Sequence, residues 1–217
     1  MCGRAERPSS REIMLEMKAL GQYEFKLNEE FPEHKNLAPS LGIPVITQNE
    51  PDLVKLAHWG VIPSYSKEFK SSYSTFNAKC ENLYTLNTWK PLIEKKHCVV
   101  VVKSFYEWNY DDPIKKLGKH IYRIHSAGSS LTFMAGLYES WVDKSTGEIK
   151  QSATIITNPA NELMARIHNT KERMPAFLSV NNFMDWINPE IDIAQRIKLI
   201  EPVRNEFLEA VEIEGIG

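Results

Sequence analysis

The residues best equipped for chemistry stand at the start of the sequence, Met1-Cys2-Gly3-Arg4. Initiator methionine is removed when the next side chain is small, and cysteine is small. Processing would leave Cys2 with a free α-amine and a thiol on adjacent carbons, a pair no internal residue can offer. Their reference pKa values, about 7.7–8.0 and about 8.5, keep both reactive forms accessible near neutral pH. An amine adds to an aldehyde to give a Schiff base, and a neighbouring thiolate can then close a five-membered thiazolidine. Alternatively the thiol attacks a carbonyl with the amine as its base. The bland alternative is the second residue of a frayed terminus.

Three further side chains suit proton transfer or oxygen binding. Glu107 stands among large aromatics in Phe105-Tyr106-Glu107-Trp108, at the end of an apolar run; burial there raises a carboxyl pKa. It reads equally as an ion-paired strand-end glutamate. His168 follows a helical pattern and reads as a general acid or as a polar helix cap. Asn77 can hold a carbonyl or sugar oxygen, or simply make a turn. From Ser66 to Lys79, Phe69, Tyr73 and Phe76 alternate with Lys67, Lys70 and Lys79. Single-strand nucleic-acid grooves use aromatics for stacking and lysines for phosphates. A surface loop with its aromatics turned inward is the competing reading.

The elements that must position these residues follow from periodicity and turn chemistry. Ser9 and Glu12 have capping-box spacing, with Ile13, Met14, Met17 and Leu20 on one helical face. Val45–Thr47 and Leu53–Trp59 read as a hairpin. Trp89, Leu92 and Ile93 suggest a short helix, and Cys98 to Val102 a strand buried on both faces. Asp111–Lys119 reads as a hairpin loop, with strands at His120–His125, Leu131–Tyr138 and Ala153–Thr157. Asn158-Pro159 predicts an N-cap and N1 proline for a helix burying Leu163, Met164 and Ile167. Two closing helices are expected near Asn181 and Pro189, making residues 179–217 a helical C-terminal part. Strands and helices do not alternate regularly. The expected fold is therefore α+β in a single domain over 1–217, with mainly antiparallel sheets in a barrel- or sandwich-like core and peripheral helices.

Composition narrows the function classes. No apolar stretch approaches a membrane span, and no signal peptide is visible. Three cysteines, Cys2, Cys80 and Cys98, make an odd number without framework spacing, which suits a reducing, cytoplasmic setting. The net charge of −2 does not suit a general nucleic-acid binder. Charge is uneven, however. Ser64–Lys103 holds lysines 67, 70, 79, 90, 95, 96 and 103 against glutamates 68, 81 and 94, whereas the stretch after Asp185 is acidic. A local basic face fits a short polyanion track better than a wide one.

Taken together, the motifs resemble the SRAP family, the SOS response-associated peptidase fold that covalently captures abasic sites in DNA. The matching blocks are Cys2-Gly3-Arg4, Asn36-Leu37-Ala38-Pro39, Trp59-Gly60-Val61-Ile62-Pro63-Ser64, Phe76-Asn77-Ala78, Phe105-Tyr106-Glu107-Trp108, Ala135-Gly136-Leu137, Thr157-Asn158-Pro159-Ala160-Asn161, and His168 followed by Arg173-Met174-Pro175. They run in family order from residue 1 to about 178, and each alone is weak. Two departures stand out. Lys79 takes the place of the family's usual arginine and lacks its bidentate fork. Asn169-Thr170-Lys171-Glu172 stretches the usual His-x-Arg-Met-Pro.

The resemblance implies Cys2 as nucleophile, with Asn77, Glu107 and His168 positioning groups and moving protons. It places Arg4, Lys67, Lys70, Tyr73, Lys79 and Arg173 against DNA. His168 is expected to open the sugar ring by protonating its oxygen, and Glu107 to act at the Cys2 amine. The implied partner is single-stranded DNA containing abasic sites, met by a monomer in the cytoplasm, associated with the nucleoid when bound to DNA. Lyase and self-processing peptidase activities come with the resemblance; no metal or cofactor is expected. The rival classes are an N-terminal-nucleophile amidohydrolase or peptidase with a non-DNA substrate, and a non-catalytic single-stranded DNA-binding module.

Overall fold

Ser9 opens the first helix as the spacing predicts. In this computed structural model, which describes residues 3–21, 24–71 and 73–217, its hydroxyl accepts from the Glu12 amide while the Glu12 carboxylate accepts from the Ser9 amide. That helix, α1 (Ser10–Leu20), follows strand β1 (Ala5–Arg7) and buries Ile13 and Met17. Then come β2 (Lys26–Leu27), β3 (His34–Leu37), β4 (Gly42–Thr47) and β5 (Glu50–Trp59). A long loop leads to β6 (Asn77–Lys79), a 3-10 turn at Cys80–Asn82 and α2 (Lys90–Lys95). The central strands are β7 (His97–Val102), β8 (Ser104–Asp112), β9 (Leu117–Ser126), β10 (Thr132–Val142) and β11 (Ile149–Pro159). Helix α3 (Glu162–Ile167), β12 (Arg173–Pro175), β13 (Phe177–Leu178), α4 (Phe183–Ile187), α5 (Ile193–Lys198) and β14 (Leu208–Ile213) complete the chain.

Hydrogen bonding joins β5, β4, β7, β10 and β11 in that order, each pair antiparallel. A parallel contact of β11 with β5, Ser152 opposite His58 and Ala153 opposite Trp59, closes the five into a barrel. Closure removes two of the sheet's edges. A second sheet, ordered β14-β9-β8-β1-β3, packs beside it. The fold is thus the expected α+β arrangement with a barrel core.

The valine run shows how sequence makes this geometry. Side chains alternate across a strand. Val99 and Val101 face the helix-covered layer with Ile13, Phe133 and Trp186, while Cys98, Val100 and Val102 face the core shared with Phe105 and Ile124 of the second sheet. Both faces are buried, so the run can be apolar throughout. Gly136 sits where β10 crosses close to its neighbours. A Cβ there would lie 2.5 Å from the Thr154 carbonyl oxygen and 2.9 Å from the Cys98 sulfur, so only glycine fits without a shift.

Two expectations fail here. Asn158-Pro159 does not start a helix: both residues remain in β11, paired with Met174 and Arg173. The Asn158 amide group donates to the Ile200 carbonyl instead. Asn161 is the cap, accepting from the Met164 amide at 2.9 Å. The closing segment is also not wholly helical. α5 starts after Asp192 rather than Pro189, and β14 then pairs along β9 from Leu208–Ser126 to Ile213–Ile121.

Candidate active site

Glu107 and His168 come together from different layers. Glu107 is on β8, held between β9 and β1: it pairs Tyr122 on one side, while neighbouring Phe105 pairs Ala5 on the other. His168 caps α3, its amide donating to Met164 O at 2.7 Å. The Asn109 side chain donates to Arg166 O at 2.6 Å and locks α3 against β8. His168 Nε2 then lies 3.7 Å from Glu107 Oε2, with the residues 4% and 2% exposed. His168 thus caps α3, one of its two readings, and also faces the carboxyl.

The four residues between His168 and Arg173, three more than the usual one, form a loop folded outward. The Asn169 side-chain amide stands in for a strand neighbour, its Oδ1 accepting from Tyr110 N and its Nδ2 donating to Tyr110 O at 2.7 Å. The amides of Lys171 and Glu172 turn back to His168 O, and Glu172 adopts a left-handed φ of 49°. Arg173 therefore returns beside His168, whose Nδ1 lies 3.0 Å from the Arg173 carbonyl oxygen. An Nδ1–H donated to that carbonyl leaves Nε2 as the lone-pair nitrogen facing Glu107.

Burial drives the two groups in opposite directions. Loss of solvent pushes the Glu107 carboxyl up to about 7, against a weaker pull from Lys171. The same loss of solvent pushes His168 down to about 4. Near neutral pH the histidine is therefore an uncharged base and the carboxyl is poised between its two forms. The expected division of labour gave the acid role to protonated His168, a form that this burial disfavours. Desolvation of an imidazolium is the physical obstacle.

Asn77 is buried on β6, which runs parallel to β11 with Asn77 opposite Ile155. Trp59 Nε1 donates to Phe76 O at 3.0 Å and fixes the approach to Asn77. β12 pairs with β11 a little further along, so Asn77 and Arg173 are both anchored on that strand. Arg4 is half-buried ahead of β1, and its carbonyl accepts from the Tyr106 amide at 2.9 Å, one residue before Glu107. Cys2, the proposed nucleophile, lies outside the described residues.

The remaining DNA candidates divide. Lys67, Lys70, Tyr73 and Lys79 are exposed, Tyr73 at 76%. Phe69 instead packs edge-on against His58 at 5.2 Å, and Phe76 against Trp59 at 6.3 Å. One aromatic of the three is thus turned outward. Lys70 and Tyr73 line a hollow of about 430 Å³ with Pro39, His58 and Phe76, next to Asn77. A larger hollow of about 990 Å³ lies between α1 and residues 24–30 and holds none of the candidate residues. Arg173 is buried, and Glu81 engages both ends of its guanidinium. Sequence reasoning passed over Glu81, since nothing local couples it to a residue so far along the chain. Among the described residues no group of three or more His, Cys, Asp or Glu could hold a metal, and no helix is long and apolar enough to cross a membrane.

Comparison with known proteins shows the family. The family model described as SOS response associated peptidase (SRAP) matches residues 1–215. The chain is similar to the abasic site processing protein YoqW of Bacillus subtilis (strain 168), 32% identical over 218 residues, covering 100% of this chain and 93% of that protein. It is also similar to the abasic site processing protein HMCES of Gallus gallus, 32% identical over 171 residues, which span 68% of this chain and 49% of that one. A crystal structure of a protein from Bacteroides thetaiotaomicron superposes with a TM-score of 0.78 at 27% identity, over 92% of this chain and 88% of that one.

Proposed function

Because the chain belongs to the SRAP family, we propose that it processes abasic sites, and that it captures them in single-stranded DNA as a thiazolidine on Cys2 after Met1 is removed. The observation that carries the reading is the buried Glu107–His168 pair, one carboxyl poised near neutrality beside one neutral imidazole. An exposed aminothiol needs no such pair; ring opening and amine addition do.

The steps balance as follows. The Glu107 carboxyl gives its proton to the sugar ring oxygen as the closed hemiacetal opens, while His168 Nε2 takes the C1′ hydroxyl proton. The Cys2 amine adds to the resulting aldehyde. Glu107, now a carboxylate, accepts the proton released from nitrogen, and the imidazolium returns its own to the C1′ oxygen. Glu107, protonated again, gives its proton to the departing hydroxyl, so that water leaves and an iminium remains; the Cys2 thiol attacks it to close the ring and yields its proton to the Glu107 carboxylate. Asn77 orients the sugar oxygen. Cys2 is covalently tethered within roughly 7 Å of Arg4, whose carbonyl is bonded to the residue preceding Glu107. β-Elimination from the Schiff base would add lyase activity, and the Cys2 thiol with the same carboxyl would serve removal of Met1. Arg4, Lys67, Lys70, Tyr73 and Lys79 form the DNA track, with Arg173 behind it. A single-stranded lesion avoids the few kcal/mol of unstacking that a flipped base costs.

The test is incubation with an abasic oligonucleotide followed by a denaturing gel. The parent forms a heat-stable adduct, Cys2→Ala forms none, and Cys2→Ser leaves at most a Schiff base that borohydride traps. A heat-stable adduct from Cys2→Ala overturns the assignment.

A further inference from the structure

Arg173 differs from the other basic residues of the track. Lys67, Lys70 and Lys79 are exposed, whereas the Arg173 side chain is 10% exposed and already answered by a carboxylate. Glu81 comes from the 3-10 turn directly after β6, so one short element carries Asn77, Lys79 and this carboxylate. Its Oε1 takes Arg173 Nη1, and its Oε2 takes Nη2 at 3.0 Å. Nη2 also donates to the Thr157 carbonyl on β11, which fixes the guanidinium from behind. The Cys80 thiol donates to Glu81 Oε2 at 3.3 Å.

Two features of this pair bear on nucleic acid. A fork-on-fork contact is the geometry by which arginine holds a phosphate. The Glu81 side chain is 49% exposed, so the carboxylate is the outer partner and the guanidinium the inner one. A phosphate approaching Arg173 meets a negative charge first.

We propose that Glu81 is a gate on the DNA track: in the free protein its carboxylate occupies the place of a backbone phosphate on Arg173, and DNA gains the guanidinium only by displacing it. This rests on the single-stranded DNA reading above. Arginine holds Glu81 down to about 2, so the gate stays charged through the physiological range and is opened by competition, not by pH. The gate makes Arg173 a conditional contact. A strand seated deeply enough to put a phosphate against Thr157 and Arg173 earns it, and a strand lying loosely across Lys67 and Lys70 does not. Glu81 therefore sharpens preference for a strand whose lesion is in the site.

Fluorescence anisotropy with labelled intact and abasic single strands tests this on the full chain, across a salt series. Glu81→Gln keeps the shape and removes the charge. It should bind intact strands on the order of fivefold tighter, with a log–log salt slope steeper by about 0.7, the value of one single-strand phosphate contact. The preference for the abasic strand should shrink. Adding Arg173→Gln to that variant should abolish the gain. Should Glu81→Gln unfold in a thermal melt, Glu81→Asp, which withdraws the charge by one methylene, must show a smaller gain of the same sign. Parental affinity and slope in a folded variant overturn the gate, and so does weaker binding, which would make Glu81 a strut for Arg173. A parent that crosslinks abasic strands while Glu81→Gln changes nothing refutes the gate alone. A parent that binds no single strand refutes both readings.

Discussion

Replacing Glu107 with glutamine should stabilise the protein at alkaline pH while disabling it. Burial raises the Glu107 carboxyl from 4.5 to about 7. At roughly 1.4 kcal/mol per pKa unit, ionising it in the folded chain costs about 3 kcal/mol more than in the unfolded one. Because the folded value is the higher, its contribution to stability is fully present below about pH 4.5 and is lost as pH rises through about 7. Glutamine fills the same space and cannot ionise. The variant-minus-parent difference in unfolding free energy should therefore climb by up to about 3 kcal/mol towards the variant between about pH 4.5 and 8, then level off. His168 works oppositely. Its value is depressed to about 4, so its contribution is present above 6.5 and fades as pH falls. That trend is shared by parent and variant and cancels to first order in the difference. Urea unfolding at several pH values gives the difference curve. The same variant should crosslink about 10²–10⁴-fold more slowly, the usual worth of an acid–base group. A flat difference curve would refute the claim that Glu107 is buried at an electrostatic cost.

Other outcomes follow from the same geometry. Single-turnover crosslinking of abasic DNA should be bell-shaped in pH. The Cys2 amine, at about 8, must be free and the Glu107 carboxyl, at about 7, must be protonated, so the competent form is a minority and the two limbs fall near pH 7 and 8; an open-chain aldehyde, which needs no ring opening, should lose the basic limb, and an unchanged bell would contradict the assignment. Asn161→Ala removes the α3 cap and should cost about 1 kcal/mol, measured by thermal unfolding. It should slow crosslinking more than an equally destabilising Ser9→Ala, because α3 positions His168 and α1 positions nothing in the site. Gly136→Ala forces a Cβ against the Thr154 carbonyl and should destabilise by about 1–3 kcal/mol; a melting temperature equal to the parent's would show that the barrel yields there.

Much of the frame was legible because local rules and the fold agree. The Ser9–Glu12 capping box and the valine run form as their residues dictate, and a hairpin turn falls inside Asp111–Lys119, its strands running on to Asp112 and from Leu117. The failures lie where a distant partner outbids a local preference. Asn158 has the chemistry of a cap, but the Ile200 carbonyl takes its side chain and β12 takes its backbone. Pro159 is tolerated because it ends its strand. β14 was hidden in an acidic stretch whose strand character shows only when β9 pairs with it. In the site, Glu107 and His168 were visible as types, but not the opposed directions in which burial drives them. Glu81 was visible only as one of three glutamates in a lysine-rich stretch. Phe69 and Phe76 looked like stacking platforms, and the barrel claims them as wall.

The place of β1 has a consequence for when the protein becomes competent. β1 is an inner strand, with Leu37 across from Ala5 on one side and Phe105 on the other. β1 is thus an element whose pairing must wait for a partner made about a hundred residues later, and such long-range closure comes slowly. Until β8 is made, β1 has no seat on that side, and until β1 and β9 flank β8, Glu107 has no buried setting in which to hold its proton. Reactivity and completed folding then arrive together. A nascent or partly unfolded copy carries the same residues but not the poised pair, so structural integrity itself licenses the chemistry.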